Sequence, residues 1–290
     1  MFLYDLLVSP FAEFEFMRRA LVGVCALASG AGPVGVLLTL RRMSLMGDAM
    51  AHAILPGAAI GYLVSGLSLF ALTTGGLIAG LVVALAAGGV ARATELKEDA
   101  SLAALFLVSL ALGVIIVSLR GNSVDLLHFL FGSVLALDND ALKLIAAIAT
   151  VSLVTMALIW RPLVMESVDA GFLRSVSPSG GPVHIVFLAL VALNLVGGFQ
   201  ALGTLLAVGI MIFPAVISRF WSRDLTVMIV IAVVAGIVSG YCGLLLSYHS
   251  GIPAGPAIIL FAGFVYCGSV LFGRYGGLLR GVISRRHLEA

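Results

Sequence analysis

Two side chains in the stretch RRMSLMGDAMAHAILPGAAIGYL, residues 41–63, are placed to do chemistry: Asp48 and His52. Four residues along a helix is a rotation of about 400°, so both fall within about 40° on one face. A carboxylate and an imidazole so placed can ligate one divalent cation, or can form an ordinary hydrogen bond. Asp48 also suits the N-terminal dipole of its own helix. Met43, Met46 and Met50 suggest a soft-metal site, but the same arithmetic sets them about 160–220° from Asp48, so they are read as packing. Two donors leave a site incomplete, since zinc takes four in a tetrahedron. A two-fold dimer with this helix at its axis would bring together two Asp and two His, and two-fold association is the commonest kind.

The remaining candidates are weaker. His249, in SYHSGIPAGPA at an outer turn, either assists an ion on its way in or is simply solvated. His128 and His184 read as local hydrogen-bonding residues, and His287 lies in a basic tail beside Arg285 and Arg286, a solvent or lipid-headgroup contact. Cys25, Cys242 and Cys267 stand far apart in apolar runs with no Cys-x-x-Cys pair, so neither a disulfide framework nor a zinc knuckle is indicated. No His-Glu-x-x-His or Gly-x-Ser-x-Gly occurs, and Gly-Lys is absent, which removes the Walker A phosphate loop. The chain is not expected to be an enzyme. If ATP drives it, a separate subunit must hydrolyse the ATP and dock on the cytoplasmic face.

The elements that carry these residues follow from composition. Of 290 residues, 61% are hydrophobic and 10% charged, and the mean hydropathy is +1.20. Soluble domains run at about 45–50% apolar and about 25% charged. The solvent is therefore lipid, which excludes a soluble enzyme and a disordered chain. A net charge of +2 is too small for a nucleic-acid binder. A membrane helix needs about 20 mostly apolar residues. Candidate spans lie near 20–40, 47–66, 69–91, 101–119, 141–160, 183–197, 201–218, 225–247 and 254–273. The sixth and seventh are short and separated by Gly197-Gly198-Phe199-Gln200. The fold class is thus an all-α polytopic membrane protein with eight or nine transmembrane helices, read as a single domain over 1–290. Residues 120–140 are too polar for a clean span and are expected at the outer interface. Residues 1–16, with Asp5, Glu13 and Glu15 among Phe and Leu, read as an interfacial amphipathic segment.

Lys and Arg collect in cytoplasmic loops. With 161–182 inside and nine spans, the inside holds Arg41, Arg42, Arg92, Lys97, Arg161, Arg174, Arg219, Arg223, Arg274, Arg280, Arg285 and Arg286, and the outside only Arg18, Arg19, Arg120 and Lys143. This bias puts the C-terminus in the cytoplasm. The loop 161–182 is the one sizeable cytoplasmic connection. Its middle, Met165 to Val176, reads as a short amphipathic helix with Val168, Phe172 and Val176 at a spacing of four, ended by Ser177-Pro178. It is either a docking knob or a plain connector.

The stretch GVLLTLRRMSLMGDAMAHAILPGAAIGYL, with LLHFLFGSVLAL, ALGTLLAVGIMIFPAVISRF and GLLLSYHSGIPAGPAIIL, resembles the permease subunits of bacterial metal-ion ABC importers, the zinc/manganese/iron family. The likeness is collinear over residues 15–273. It implies a homodimeric permease (a heterodimer in some members) in the bacterial inner membrane, bound to two copies of an ABC ATPase subunit and fed by a periplasmic or lipoprotein metal-binding protein. It further implies that Asp48 and His52 are the ligands of a transported Zn2+ or Mn2+, with no permanently bound cofactor. The family's coupling stretch, Asp-x-x-x-Ala-x-x-x-Gly, falls here on Asp169, Leu173 and Ser177. The expected ATPase contact is therefore Asp169, Phe172, Leu173 and Val176. The Gly- and Pro-broken pieces at 197–203 and 253–256 are expected to absorb backbone change during transport. Three rivals stand beside this reading: an ABC permease for a metal chelate or other organic cargo, an ion-coupled secondary carrier, and a membrane assembly or structural subunit with no transport. The span assignment puts Asp48 near the cytoplasmic end, whereas transporters place such sites at mid-membrane.

Overall fold

Long runs of Leu, Val, Ala and Gly without charge have one stable arrangement in lipid, because only a helix satisfies every backbone N–H and C=O within its own segment. The computed structural model describes residues 2–43, 46–66, 68–96, 98–118, 134–177 and 180–279. The helices in chain order are α1 Phe2–Leu7, α2 Ser9–Glu13, α3 Glu15–Leu40, α4 Met46–Ala53, α5 Leu55–Ser65, α6 Leu69–Ala93 and α7 Glu98–Ser118. After a short 3-10 turn at Val134–Ala136 come α8 Asn139–Leu158, α9 Trp160–Val168, α10 Ala170–Val176, α11 Gly180–Leu202, α12 Thr204–Trp221, α13 Leu225–Ser250 and α14 Ala254–Phe272. The expectations for Lys97, Arg120, His128, Arg280, Arg285, Arg286 and His287 lie outside the described residues, as does most of the segment 120–140.

Seven helices, α3, α6, α8, α11, α12, α13 and α14, are long and apolar enough to cross a membrane. The apolar part of α7, Ala100–Ile116, and the broken pair α4–α5 bring the passes among the described residues to nine. Contacts between helices fix their directions. Gly236 meets Ala28, Gly240 meets Val24 and Gly32 meets Val233, so α13 runs antiparallel to α3. Gly243 against Ile258 and Trp221 Nε1 donating to Ser269 Oγ at 3.0 Å set α14 antiparallel to α13 and parallel to α12. Gly76 against Val196 and Gly80 against Ala192 set α6 antiparallel to α11. The passes therefore alternate up and down.

The most enclosed helices are α3 and α11, while α14 and α6 lie at the periphery. Phe187, Phe199, Met17, Leu37 and Met50 are among the largest fully buried side chains. Several polar groups inside the bundle tie helices together, while the buried Ser101 and Ser239 hydroxyls have no partner among the described residues. Asn194 donates from Nδ2 to Ser152 Oγ at 2.7 Å and to the Leu190 carbonyl at 2.8 Å, tying α11 to α8. Thr73 Oγ1 donates to Gln200 Oε1 at 2.7 Å, tying α6 to α11. The structure moves one expected break. Residues 197–200 continue as helix to Leu202, and the chain turns at Gly203 with φ 95°. Gly197 and Gly198 serve packing instead, against Ile148 and Ala207.

Candidate functional site

The site begins where α3 ends. The Met43 N–H bonds the Leu38 carbonyl at 3.0 Å and the Arg42 N–H bonds the Thr39 carbonyl at 3.2 Å. That is a Schellman cap, in which the residue after the helix usually is glycine. Here Arg42 holds the left-handed position at φ 60°, a conformation that costs a non-glycine residue about 1 kcal/mol or more. The reversal sends the chain back up the bundle. Gly35 of α3 and Gly47 of α4 both press on Met211 of α12, Gly35 against its backbone carbonyl and Gly47 against its side chain. No residue with a Cβ fits between Gly35 and that carbonyl.

This packing sets the depth of Asp48. Met211 lies ten residues above the end of α12 at Trp221, about 15 Å along the helix axis. Asp48, next to Gly47, therefore lies level with Met211, above the cytoplasmic ends of both α3 and α12. The turn at 41–43 returns the chain beside the last turns of α3 before α4 starts.

The four main supports of α4 besides α5 are α6, α7, α11 and α12. Its buried face carries Met46 and Met50, which are essentially inaccessible, and Met43 is buried just before it. The methionines are packing, as their angular position requires. On the opposite face Asp48 is exposed and His52 is half-buried. The His52 ring stacks near Phe106 of α7, with centroids 6.0 Å apart and planes inclined 27°. Among the described residues neither Asp48 nor His52 has a hydrogen-bond or ion-pair partner. A lone carboxylate at membrane depth costs several kcal/mol unless it is paired or hydrated. No group of three or more His, Cys, Asp or Glu side chains comes together among the described residues. One chain thus offers two donors on an open apolar surface.

The helix breaks just above this pair. Ile54 leaves the regular helix and Pro56 follows in the first turn of α5. Proline has no N–H, so the His52 carbonyl loses its partner four residues on. The Ala53 carbonyl accepts instead from Ser109 Oγ at 2.9 Å.

His249 sits elsewhere. Its Nε2 is 3.1 Å from the Leu6 carbonyl, and Tyr241 Oη donates to the Leu7 carbonyl at 2.8 Å. Phe11 stacks on Tyr241 at 5.1 Å. The N-terminal segment is thus clamped to the outer end of α13, and His249 belongs to that clamp.

On the cytoplasmic side, the helix expected over Met165–Val176 is two helices that meet at Asp169. Asp169 has φ −150° and accepts the Phe172 N–H at 2.9 Å, so it is the N-cap of α10. Val168 is 83% exposed and Phe172 53%, which makes an apolar ridge. Leu173 faces the other way and is 2% exposed; it anchors α10 to the bundle and is not available to a partner. The side chain of Val176 lies outside the described residues.

Sequence reasoning missed the residues behind that ridge. Arg41 Nη2 lies 3.1 Å from Glu166 Oε2, and Arg41 Nε donates to Ser167 Oγ at 3.1 Å. The guanidinium stacks 3.9 Å from the Phe187 ring centroid. His184 Nδ1 approaches the other oxygen of Glu166 at 3.0 Å. The Arg41 and Glu166 side chains are only 7% and 3% exposed. The partners are separated by 125 residues, so no local pattern announces them.

The profile of the ABC 3 transport family matches residues 13–273. The chain belongs to that family. Its similarity to curated members runs the length of the chain. It is 31% identical over 279 residues to the manganese transport system membrane protein MntC of Halalkalibacterium halodurans, covering 96% of this chain and 93% of that protein. It is 32% identical over 267 residues to MntC of Listeria monocytogenes, covering 92% and 94%. The fold matches that of PsaBC from Streptococcus pneumoniae, solved in complex with Fab. The TM-score is 0.83 at 27% identity, covering 96% of this chain and 99% of that one. This ABC 3 chain is a multi-pass bacterial membrane permease.

Proposed function

We propose that the chain is the membrane permease of an ABC importer that takes up a divalent transition metal, manganese foremost, and that two copies meet at the Asp48–His52 face. The observation that carries this is Asp48 itself: exposed, level with Met211 of α12, one turn from His52, and without a partner among the described residues. A second copy related by two-fold symmetry would supply a second carboxylate and a second imidazole, completing a four-donor cation site from two incomplete halves. Such donors hold Mn2+, Fe2+ and Zn2+ with modest discrimination. The similarity to two manganese permeases favours manganese over zinc. ATP hydrolysis belongs to a separate subunit, of which two copies dock on the Val168–Phe172 ridges, and a metal-binding protein outside the cell delivers the ion.

The test is uptake into proteoliposomes that hold the permease with its ATPase subunit and delivery protein. Manganese uptake that requires ATP, is blocked by vanadate and is outcompeted by free metal is expected. Uptake without the ATPase would mark an ion-coupled carrier, and uptake of a chelate in place of the free ion would mark an organic-cargo permease.

A further inference from the structure

The Arg41–Glu166–His184 cluster pairs an Arg, a Glu and a His rather than gathering three metal-ligating side chains, and stability alone is a poor reason for it. A buried ion pair is costly to desolvate, and well-packed apolar side chains of the same volume usually hold a bundle as well or better. Its position is more informative. Arg41 is the last residue before the Schellman turn, at the C-cap of α3, and the turn leads through Met43 to α4 and Asp48. Glu166 is on α9, three residues before the Asp169 cap that joins α9 to α10. His184 opens α11, which also packs on α4. On the outer side of the α9–α10 corner lie the exposed Val168 and Phe172, and on its inner side lie the buried Glu166, Leu163 and Leu173.

We propose that the Arg41–Glu166–His184 cluster is the tie that transmits displacement of the cytoplasmic α9–α10 corner to the turn carrying Asp48. A push on the Val168–Phe172 ridge moves α9 as a unit, because Asp169 caps α10 onto it. Glu166 is held by Arg41 at one carboxylate oxygen and by His184 at the other, and Arg41 is tied a second time to α9 by donating from Nε to Ser167 Oγ. The carboxylate therefore cannot shift without drawing Arg41 with it. The stack on Phe187 keeps the guanidinium from swinging into water. Separating these buried charges is strongly unfavourable, so the contact holds while the corner moves and carries Arg41 with it. Arg41, Glu166 and His184 are thus positioning residues: they act on the ion through the turn, and none touches it.

This rests on the transport reading above, and the experiment separates the two. The complete transporter is reconstituted with wild-type permease, Glu166→Gln, His184→Gln and Arg41→Lys. Manganese moved per ATP hydrolysed is measured together with manganese bound to the purified permease. Glu166→Gln is expected to bind manganese and hydrolyse ATP as the wild type does, while manganese moved per ATP falls about tenfold, within the usual range of coupling between sites. His184→Gln and Arg41→Lys, which each keep part of the contact, are expected to fall between. An unchanged ratio in all three variants would overturn the tie, as would loss of manganese binding and ATP hydrolysis in step with transport, which marks a purely structural role. A wild-type complex that moves no manganese would instead overturn the transport reading.

Discussion

Gly47 lies against Met211, where a Cβ would stand 2.8 Å from the methionine Cε. That contact sets the depth of the residue beside it, Asp48. Gly35 presses on the same residue from α3, against its backbone carbonyl. Three elements are therefore locked at one level, and the locks differ in kind. A methionine tip can swing aside, but a carbonyl in a helix cannot.

The two glycines accordingly differ in their tolerance. Gly35→Ala is expected to lower the thermal stability of the detergent-solubilised permease strongly, since overpacking a tight contact costs about 1–3 kcal/mol. Gly47→Ala is expected to cost less than Gly35→Ala, because the Met211 tip yields. A melting curve of each variant by tryptophan fluorescence checks the order, and equal losses would show that Met211 does not set the level.

The hydrogen bond from Asn194 to Ser152 joins α11 to α8 deep in the bundle. Such bonds within membranes average about 0.6 kcal/mol. A double-mutant cycle with Asn194→Ala and Ser152→Ala, followed by denaturant unfolding, is expected to give a coupling of about that size. A value of zero would mean that the two side chains do not bond in the membrane.

The cytoplasmic ridge offers a third check. Phe172→Ala removes an exposed apolar side chain and is expected to weaken binding of the ATPase subunit while leaving the permease as stable as before. Asp169→Ala removes the N-cap of α10, worth about 1 kcal/mol, and is expected to weaken the same binding by fraying the helix. Leu173→Ala acts differently: its side chain is buried, so it should lower permease stability by about 2–5 kcal/mol. Co-purification and melting curves separate the two classes, and Leu173→Ala behaving as Phe172→Ala does would contradict the assigned orientation.

Periodicity carried some of this in advance and missed the rest for identifiable reasons. The shared face of Asp48 and His52, and the methionines behind it, depend only on rotation per residue within one short helix. The depth of Asp48 depends on Met211, more than 160 residues away in the chain, and on a left-handed Arg42 that no glycine signals. The pairing of Arg41 with Glu166 is equally remote; His184 was legible as a hydrogen-bonding residue, but its partner was not. The corner at Asp169 had a local signal, an acidic residue followed three places on by the N–H it caps. The spacing of Val168, Phe172 and Val176 concealed it, because four-residue steps continue across the bend.

In the proposed transporter, Asp48 and His52 from two copies of this chain hold one transported ion. The most direct test is the manganese bound per purified permease dimer, by elemental mass spectrometry after exposure to equal manganese and zinc, for wild type, Asp48→Asn and His52→Ala. About one ion per dimer in the wild type, lost in both variants while each still folds, is the predicted result. Stoichiometric metal that persists in both variants would place the ion elsewhere and contradict the account.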